Sequence, residues 1–217
     1  MKRVAVVTGT TSGIGYYIAS YFKNEGYCVV GIQRGKAKHV DLNIEADLSK
    51  INTIPKIIDT IDDHYGRIDV LVNNAGKMDF EEYKDNSTVD LNMVMPIQLA
   101  EIAIHYMEDG GHIINIASIS GITGDSELPI YSATKAAIIN FTQSMAKRLA
   151  PRIRVNCISP GFFNTNLVEG DTPAELIEQV PMKREADPSE IIPVIHMLQV
   201  STYMTGANIV IDGGLSL

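Results

Sequence analysis

The sequence has 217 residues, 45% of them hydrophobic and 20% charged, which is typical of one folded domain with a large core. A formal net charge of −8 argues against a nucleic-acid-binding surface, because such surfaces are basic. Two cysteines, and five histidines without metal-ligand spacing, predict neither a disulfide framework nor a metal site. The apolar run at residues 4–7 is too short for a signal peptide or a membrane span, which predicts a cytoplasmic protein.

The first predicted strand, residues 4–7, leads into a glycine-rich turn and then a helix. The turn is the run TGTTSGIG at residues 8–15. Glycine lets the backbone approach a phosphate closely, and the amino end of the following helix supplies free N–H groups. This order of strand, turn and helix predicts a nucleotide phosphate site, with a merely tight turn as the alternative.

The second predicted strand, residues 28–32, ends at Gln33 and Arg34. A dinucleotide site usually places an acid here to hold the ribose hydroxyls, whereas an arginine suits a 2′-phosphate. A solvated surface arginine is the alternative. Residues 34–41 are too few for a helix before the next strand, near residues 43–46, so we expect an abbreviated crossover after the second strand.

The middle of the chain alternates helices and strands. Asp47 and Leu48 precede a predicted helix that is capped by Ser49 or Asn52 and runs to Tyr65, and a strand at 69–72 ends in the run NNAG at residues 73–76. The two amides of that run either bind an adenine edge or tie neighbouring strands together. Residues 77–88 are predicted as a loop, followed by a helix over 89–107 that contains Asn92. In isolation Asn92 is a structural bridge, and Pro96 kinks that helix or marks its true start.

A tyrosine, a lysine and a serine suggest proton transfer. Tyr131 and Lys135 are four residues apart and therefore share one face of a predicted helix. A phenol with a pKa of about 10 is a poor proton donor or acceptor alone, and a neighbouring cation lowers that pKa. Ser118 ends a buried strand at 112–117, where open α/β sheets bind ligands, and residues 120–129 after it are predicted to form a turn-rich loop. An exposed helix with an incidental Tyr–Lys pair is the alternative.

After a strand at 154–159, residues 162–187 are predicted to be mostly irregular, with one helix near 173–180. So long a loop in a compact domain is usually a lid or a binding loop. A last helix from Pro188 and a strand at 208–211 complete the predicted elements. The loop suggests a partly apolar substrate, unless these side chains simply pack the loop; its residues are Phe162, Phe163, Leu167 and Val168, with the acids Glu169 and Asp171 nearby.

With these motifs in hand, the sequence resembles the classical short-chain dehydrogenases/reductases over nearly its full length. The resemblance implies an α/β fold, a Rossmann-type doubly wound parallel sheet of seven strands in three layers, forming a single domain over residues 1–217 with a substrate loop at about 162–187. It also implies a small-molecule ketone or alcohol substrate and a homodimer or homotetramer. The net charge and the short apolar run predict no nucleic-acid partner and no membrane partner. The matching positions are the turn at residues 8–15, Asp47, Leu48, residues 73–76, Asn92, Ser118, Tyr131, Lys135, Pro160, Gly161, Thr165 and residues 212–214.

The resemblance assigns catalytic roles to four residues. Tyr131 would be the general acid/base on the substrate oxygen, and Ser118 would hydrogen-bond that oxygen. Lys135 would hold the nicotinamide ribose and lower the pKa of the tyrosine. Asn92 would hold a water that links Lys135 to solvent.

The resemblance also assigns a cofactor site. Because Gln33 takes the place of an NAD-selecting aspartate and Arg34 that of an NADP-selecting arginine, we expect NADP(H) rather than NAD(H), although NAD(H) is possible. The glycine turn would line the pyrophosphate and adenosine side, and Thr165 with the Phe163 backbone would hold the carboxamide end. The assigned residues are Gly9, Ser12, Gly13, Ile14, Gly15, Gln33, Arg34, Asp47, Leu48, Asn74, Ala75, Gly76, Tyr131, Lys135, Pro160, Gly161, Phe163 and Thr165.

The predicted function is an NAD(P)(H)-dependent oxidoreductase that interconverts a secondary alcohol and a ketone by hydride transfer. The alternative is a non-catalytic dinucleotide-binding sensor or regulatory protein on the same fold. Degenerate members of the family usually lose the tyrosine or the lysine, and this sequence keeps both. A lyase or epimerase with tightly held NAD is disfavoured by the length of the chain.

Overall fold

The computed structural model of the protein describes residues 2–80, 84–167 and 172–217. Its sheet has seven parallel strands in the spatial order β3-β2-β1-β4-β5-β6-β7, which confirms the Rossmann-type doubly wound prediction. The strands are β1 (Val4–Thr8), β2 (Cys28–Gln33), β3 (Leu42–Glu45), β4 (Val70–Asn73), β5 (Gly111–Ile116), β6 (Ile153–Pro160) and β7 (Asn208–Ile211).

Helices connect most of the strands. The α-helices are α1 (Gly13–Asn24), α2 (Ile54–Tyr65), α3 (Ser87–Val89), α4 (Met95–Ala103), α5 (Ser120–Thr123), α6 (Pro129–Leu149), α7 (Ala174–Ile177) and α8 (Ile192–Val200). Single 3₁₀ turns cover Ile51–Thr53, Ile104–Tyr106 and Pro188–Ile191, and a π-helical turn covers Asp90–Val94.

The sheet is covered on both faces, which gives the predicted three layers. Successive side chains of a strand point to opposite faces, so Val4 and Val6 of β1 pack with α2, α4 and α6, whereas Ala5 and Val7 pack with α1 and α8. All five residues of β1 are buried. This explains why the strand sequences are continuous apolar runs rather than alternating ones.

The crossover from β2 to β3 is as short as the sequence predicts. Residues 34–41, all of them described, contain no helix, yet β3 pairs parallel to β2 with Val30 opposite Leu42 and Gln33 opposite Glu45. Most parallel connections need a dozen or more residues. Here a compact loop returns the chain to the starting edge, which leaves the face beside β2 and β3 without a helix from this connection.

Three local predictions need correction. The helix expected over 89–107 is divided, because Pro96 has no N–H to donate to the preceding turn, and the π-helical turn of Asp90–Val94 leads into α4. The loop expected after Ser118 contains the one-turn helix α5, and the helix expected near 173–180 is only Ala174–Ile177. Val168, Glu169 and Asp171, assigned to the substrate loop, lie outside the described residues.

No helix in the described ranges is both long enough and apolar enough to cross a bilayer.

Candidate active site

The candidate site lies along the carboxyl edge of the sheet. Because every strand is parallel, all seven strands end at this edge. The direction in which the chain winds reverses between β1 and β4, and ligands of open α/β sheets bind in the crevice outside such a reversal point. The glycine turn follows β1, and residues 74–76 follow β4, so both flank this crevice.

The glycine turn is packed so closely that side chains are excluded from it. A Cβ atom on Gly15 would lie 2.1 Å from the Gly9 carbonyl oxygen and 2.4 Å from Asn74 Nδ2. Thr165 lies against Gly13 on the other side of the turn, where a Cβ on Gly13 would lie 3.2 Å from Thr165 Cβ. The predicted cofactor residues of the turn, the β4 end and the segment after β6 are therefore brought together.

The amino end of α1 fits a phosphate group. Ser12, the residue before α1, is exposed, and in the described part of the chain its side chain makes no capping bond to the helix. The first N–H groups of α1, beginning with Gly13 and Ile14, are therefore not capped by Ser12 and lie at the positive end of the helix dipole. These features match what a dinucleotide pyrophosphate requires.

The amides that follow β4 tie two strand ends together. The backbone N–H groups of Asn74 and Ala75 donate to Thr8 Oγ1 at 2.9 and 2.8 Å. The Asn74 side chain donates to the carbonyl oxygens of Thr8, at 2.8 Å, and Gly9, at 3.2 Å. Of the two uses open to these amides, strand tying is the one that the structure shows, and it fixes the floor of the crevice.

Ser118 and Tyr131 form a buried pair beside this crevice. They are 8% and 5% exposed, and their side chains share a hydrogen bond. Ser118 follows β5, and its Oγ accepts from the Ser120 N–H at 3.1 Å at the start of α5. Burial raises the pKa of the Tyr131 phenol, the bond to Ser118 opposes the rise, and the Asp125 carboxylate adds to it.

Lys135 lies one helical turn beyond Tyr131 and is 5% exposed. Its Nζ donates to the Ile116 carbonyl oxygen at 3.0 Å and lies 5.6 Å from the centre of the Tyr131 ring. Burial lowers the pKa of Lys135 to about 8. The predicted lowering of the tyrosine pKa by this cation is not seen in this structure: burial raises the pKa of the phenol, the bond to Ser118 is what opposes the rise, and the ammonium group of Lys135 is directed to the Ile116 carbonyl oxygen.

Asn92 holds the backbone of Gly76 and Lys77 next to Lys135. Its side chain accepts from the Lys77 N–H at 2.9 Å and donates to the Lys77 carbonyl oxygen at 2.8 Å. A Cβ on Gly76 would lie 3.1 Å from Asn92 Oδ1 and 3.5 Å from Lys135 Nζ. The π-helical turn thus directs Asn92 into the same cluster as Lys135, as a bridge between two segments of backbone.

The predicted ribose-binding residues are placed in two different ways. Arg34 is exposed. The pKa of Asp47 is lowered mainly by hydrogen bonds from Ser49, and the charge of Arg34 makes a smaller contribution to this lowering. Leu48 is buried in the core, so only its backbone is available to flank an adenine. Gln33 is 6% exposed, and its side chain is bonded within the protein, which the sequence did not indicate.

The segment after β6 forms the opposite wall. The Gly161 N–H donates to the Ile211 carbonyl oxygen at 2.9 Å, which extends the ladder beyond Pro160. Phe163 is nearly buried and pairs in parallel with Ala186. These contacts hold Thr165 against the glycine turn and bring both ends of the 162–187 loop together.

Comparison with known proteins identifies the family. Residues 9–216 match a family model described as enoyl-(acyl carrier protein) reductase. Carbonyl reductase family member 4 of Xenopus tropicalis is 35% identical over an alignment of 236 residues that covers 100% of this chain and 99% of the relative. The chain belongs to the short-chain dehydrogenase/reductase family.

Several solved structures that are similar to this short-chain dehydrogenase/reductase contain a bound nicotinamide cofactor. A blue fluorescent protein from a metagenomic library, in complex with NADPH, is 26% identical with a TM-score of 0.90, covering 99% of this chain and 98% of that one. A 4-hydroxyisoleucine dehydrogenase in complex with NADH is 27% identical with a TM-score of 0.87, covering 99% of each chain. The protein is accordingly an NAD(P)-dependent oxidoreductase of the short-chain family that acts on CH–OH and C=O groups.

Sequence reasoning missed three residues that shape the site of this short-chain dehydrogenase/reductase. Thr8 joins the ends of β1 and β4, whereas Thr10 and Asn43 engage the Gln33 amide. The position of Thr8 at the end of a buried strand is a usable signal. Asn43 lies in a four-residue strand whose sequence carries no motif, so only the structure reveals it.

The titratable residues offer no metal chemistry within the described ranges. No group of three or more His, Cys, Asp or Glu residues there is placed to hold an ion. Cys28 and Cys157 are free thiols, and burial raises the pKa of Cys157 to about 12.

Proposed function

We propose that the protein interconverts a ketone and a secondary alcohol with NADP(H), using Tyr131 as the general acid/base. The observation that carries this proposal is the buried, hydrogen-bonded pair of Ser118 and Tyr131 with Lys135 one turn away, at the carboxyl edge of the sheet. A tyrosine, a serine and a lysine converge where the fold binds nucleotides. The sensor alternative gives no reason for such convergence.

The chain's own residues account for binding and proton transfer. When bound, the nicotinamide supplies or accepts the hydride. The Ser118 hydroxyl and the Tyr131 phenol would both contact the substrate oxygen, and the proton would move between Tyr131 Oη and that oxygen. Because burial raises its pKa, the phenol is protonated at neutral pH, which is the form that reduction of a ketone requires.

Lys135 and Asn92 support this chemistry. Lys135 would hold the nicotinamide ribose through its ammonium donors, and a pKa of about 8 lets it exchange a proton near neutral pH. Asn92 fixes Gly76 and Lys77 beside that ammonium group. The water relay assigned to Asn92 by the family resemblance remains part of the proposal.

We assign the cofactor residues by their positions in the crevice. The turn with Gly9, Ser12, Gly13, Ile14 and Gly15 would hold the pyrophosphate, because it joins free helical N–H groups to a cradle without side chains. Asp47, Leu48, Asn74, Ala75 and Gly76 would flank the adenosine, and Pro160, Gly161, Phe163 and Thr165 the carboxamide end.

A basic loop favours NADP(H) over NAD(H). Arg34, Lys36 and Lys38 are all exposed in the short connection after β2, where the adenosine ribose is expected. Three cations attract a 2′-phosphate, whereas a ribose hydroxyl pair is normally bound by an acid. Among the similar solved structures, one is in complex with NADPH and three are in complex with NADH, so the preference for NADP(H) rests on these side chains alone.

A carbonyl panel with both cofactors tests the proposal. Purified protein should oxidise NADPH in the presence of ketones, with a higher kcat/KM for NADPH than for NADH. An enoyl thioester belongs in the panel because of the description of the matching family model. Tight cofactor binding without turnover of any ketone or alcohol would favour the sensor, and turnover of the enoyl thioester alone would replace carbonyl chemistry.

The remaining proposals concern assembly, the loop and location. We expect a homodimer or homotetramer because large apolar side chains are exposed beside the edge strand β7, among them Val200, Tyr203 and Val210. Light scattering should give a multiple of the 23.7 kDa chain mass, and a monomer would contradict this.

Three further predictions remain. The chain forms a single domain, its loop at residues 162–187 acts as a substrate lid, and the protein is cytoplasmic.

A further inference from the structure

A chain of hydrogen bonds links the glycine turn to the basic loop through two side-chain amides. Thr10 Oγ1, in the turn, donates to Gln33 Oε1 at 2.6 Å, and Gln33 Nε2 donates to Asn43 Oδ1. Asn43 in turn bonds the loop: its Oδ1 accepts from the Ala37 N–H at 2.9 Å, and its Nδ2 donates to the Gly35 carbonyl oxygen at 3.4 Å. The chain therefore links the turn after β1, the last residue of β2 and the second residue of β3.

The direction of this chain is fixed by backbone groups. The Thr10 N–H also points to Gln33 Oε1, at 3.4 Å, and an N–H can only donate, so this end of the Gln33 amide is its oxygen. The Ala37 N–H fixes the oxygen of Asn43 in the same way. With both oxygens fixed, Gln33 must donate to Asn43, and neither amide can turn around without losing bonds.

The core makes room for the chain at a single glycine. A Cβ atom on Gly31 would lie 2.6 Å from Thr10 Oγ1, 2.8 Å from Val40 Cγ1 and 3.1 Å from Gln33 Oε1. Gly31 lies in β2 and has no positive φ. A glycine is therefore needed here because neighbouring side chains approach its backbone closely, and not because of its backbone conformation. Gln33 is buried, and leaving its amide unpaired there would be destabilising, which favours the intact chain.

The loop that this chain holds carries the three exposed cations. Arg34, Lys36 and Lys38 alternate with Gly35 and Ala37, the two residues whose backbones Asn43 binds. At its far end the loop is anchored again, because His39 Nε2 lies 2.9 Å from the Tyr16 hydroxyl of α1. The short crossover has no helix to support it, so these anchors determine where the cations lie.

We propose that Gln33 and Asn43 are positioning residues that set the cofactor preference. They fix the position of the basic loop relative to the glycine turn through this chain of hydrogen bonds. This inference rests on the proposed use of NADP(H). It differs from the sequence-based role of Gln33, because the amide acts through Asn43 on the loop rather than on the ribose.

The test is cofactor binding by the full-length Asn43→Ala variant, measured by isothermal titration calorimetry with NADP⁺ and with NAD⁺. Loss of the two loop bonds should raise the Kd for NADP⁺ about tenfold, with a change of less than about threefold for NAD⁺. The salt dependence of NADP⁺ binding should also become weaker, because the cations no longer converge on the 2′-phosphate. Asn24→Ala, at an exposed position at the end of α1, is the matched control and should leave both Kd values unchanged.

Two further variants separate positioning from general damage. Gln33→Met breaks the chain from the other side, and the Gln33→Met/Asn43→Ala double variant should bind NADP⁺ no more weakly than the worse single variant, because both changes break one chain. Asn43→Ser, which is too short to bond the loop, gives the same test if Asn43→Ala does not fold. Additive losses, or equal weakening for both cofactors, would overturn the inference.

The outcomes also distinguish this inference from the proposed function. If the wild-type protein binds NAD⁺ as tightly as NADP⁺, the proposed cofactor preference is wrong and the inference falls with it. If the wild-type protein prefers NADP⁺ and Asn43→Ala keeps that preference, the proposed function stands and the positioning role alone is overturned.

Discussion

The catalytic cluster and the basic loop hold their charged and polar groups in place in opposite ways. Ser118, Tyr131 and Lys135 are almost fully buried, and helix α6 and strand β5 hold them by packing. Arg34 and Lys36 are exposed on a short loop held by side-chain amides. Burial changes the pKa values of the first group, whereas the loop keeps its charges in water. We infer that the chemistry is fixed by the core and the cofactor preference by a replaceable surface loop.

The largest expected effect is at Tyr131. Tyr131→Phe removes only the phenolic oxygen, so kcat should fall about 10³-fold while cofactor affinity, measured by fluorescence, stays nearly unchanged. Tyr106→Phe, a change to a partly exposed tyrosine at the end of the α4 segment, is the control. Substantial residual turnover in Tyr131→Phe would mean that another group transfers the proton.

Lys135→Met should separate activity from stability. Losing the ammonium group should lower kcat/KM about 100-fold, yet removing a buried charge should raise the free energy of unfolding of the ligand-free protein at pH 7 by about 1–2 kcal/mol. Urea denaturation measures this, with the exposed Lys147→Met as control. A destabilised Lys135→Met protein would show that the bond to the Ile116 carbonyl oxygen outweighs the burial of charge.

The same lysine gives a pH dependence with a definite sign. The folded pKa is about 8, below the ordinary value of about 10.4, so between these values the unfolded chain binds the extra proton. The lysine's contribution therefore makes the wild-type protein more stable as pH rises through this window, and less stable as pH falls back to 8. The difference in unfolding free energy between Lys135→Met and wild type should shrink over the same window. If this difference in unfolding free energy did not change with pH, Lys135 would be more hydrated than the structure shows.

The exposed loop should give smaller and more selective effects. Replacing Arg34 with Ala should raise the KM for NADPH about tenfold, because one charge-assisted contact to the 2′-phosphate is lost, and should change the KM for NADH far less. Steady-state kinetics with both cofactors measures the ratio. Lys56→Ala, at an exposed lysine of α2, is the control. An equal loss for both cofactors would place Arg34 outside phosphate recognition.

The smallest expected effect is at Asp125, a partly exposed residue that acts on the buried catalytic cluster. This partly exposed carboxylate adds to the raised pKa of the buried Tyr131 phenol. Asp125→Asn should therefore lower that pKa and move the alkaline limb of the pH profile of ketone reduction to lower pH. Glu127→Gln, at a neighbouring exposed acid, should leave the limb in place. A shift to higher pH in Asp125→Asn would mean that this carboxylate does not raise the pKa of the phenol.

Sequence patterns predict the sheet well because the signals are local and strong. Apolar runs mark the buried strands, and the eight residues between β2 and β3 leave no room for a helix. Tyr131 and Lys135 are correctly placed on one helix face because helical spacing is a fixed geometric property.

What the sequence does not reveal depends on contacts between distant segments. The amide of Gln33 is engaged by Thr10 and by Asn43, a residue of a different strand. The pKa of Tyr131 depends on how deeply the fold buries the phenol, which spacing to Lys135 does not report.

The most direct test of the proton-transfer role is a crystal structure of the wild-type protein with NADP⁺ and a ketone substrate, a pair that cannot exchange a hydride. The ketone oxygen should lie within about 3 Å of both Ser118 Oγ and Tyr131 Oη, with the pyrophosphate against the turn at residues 8–15. A ketone oxygen bound elsewhere, with the tyrosine directed away from it, would contradict the proposed chemistry.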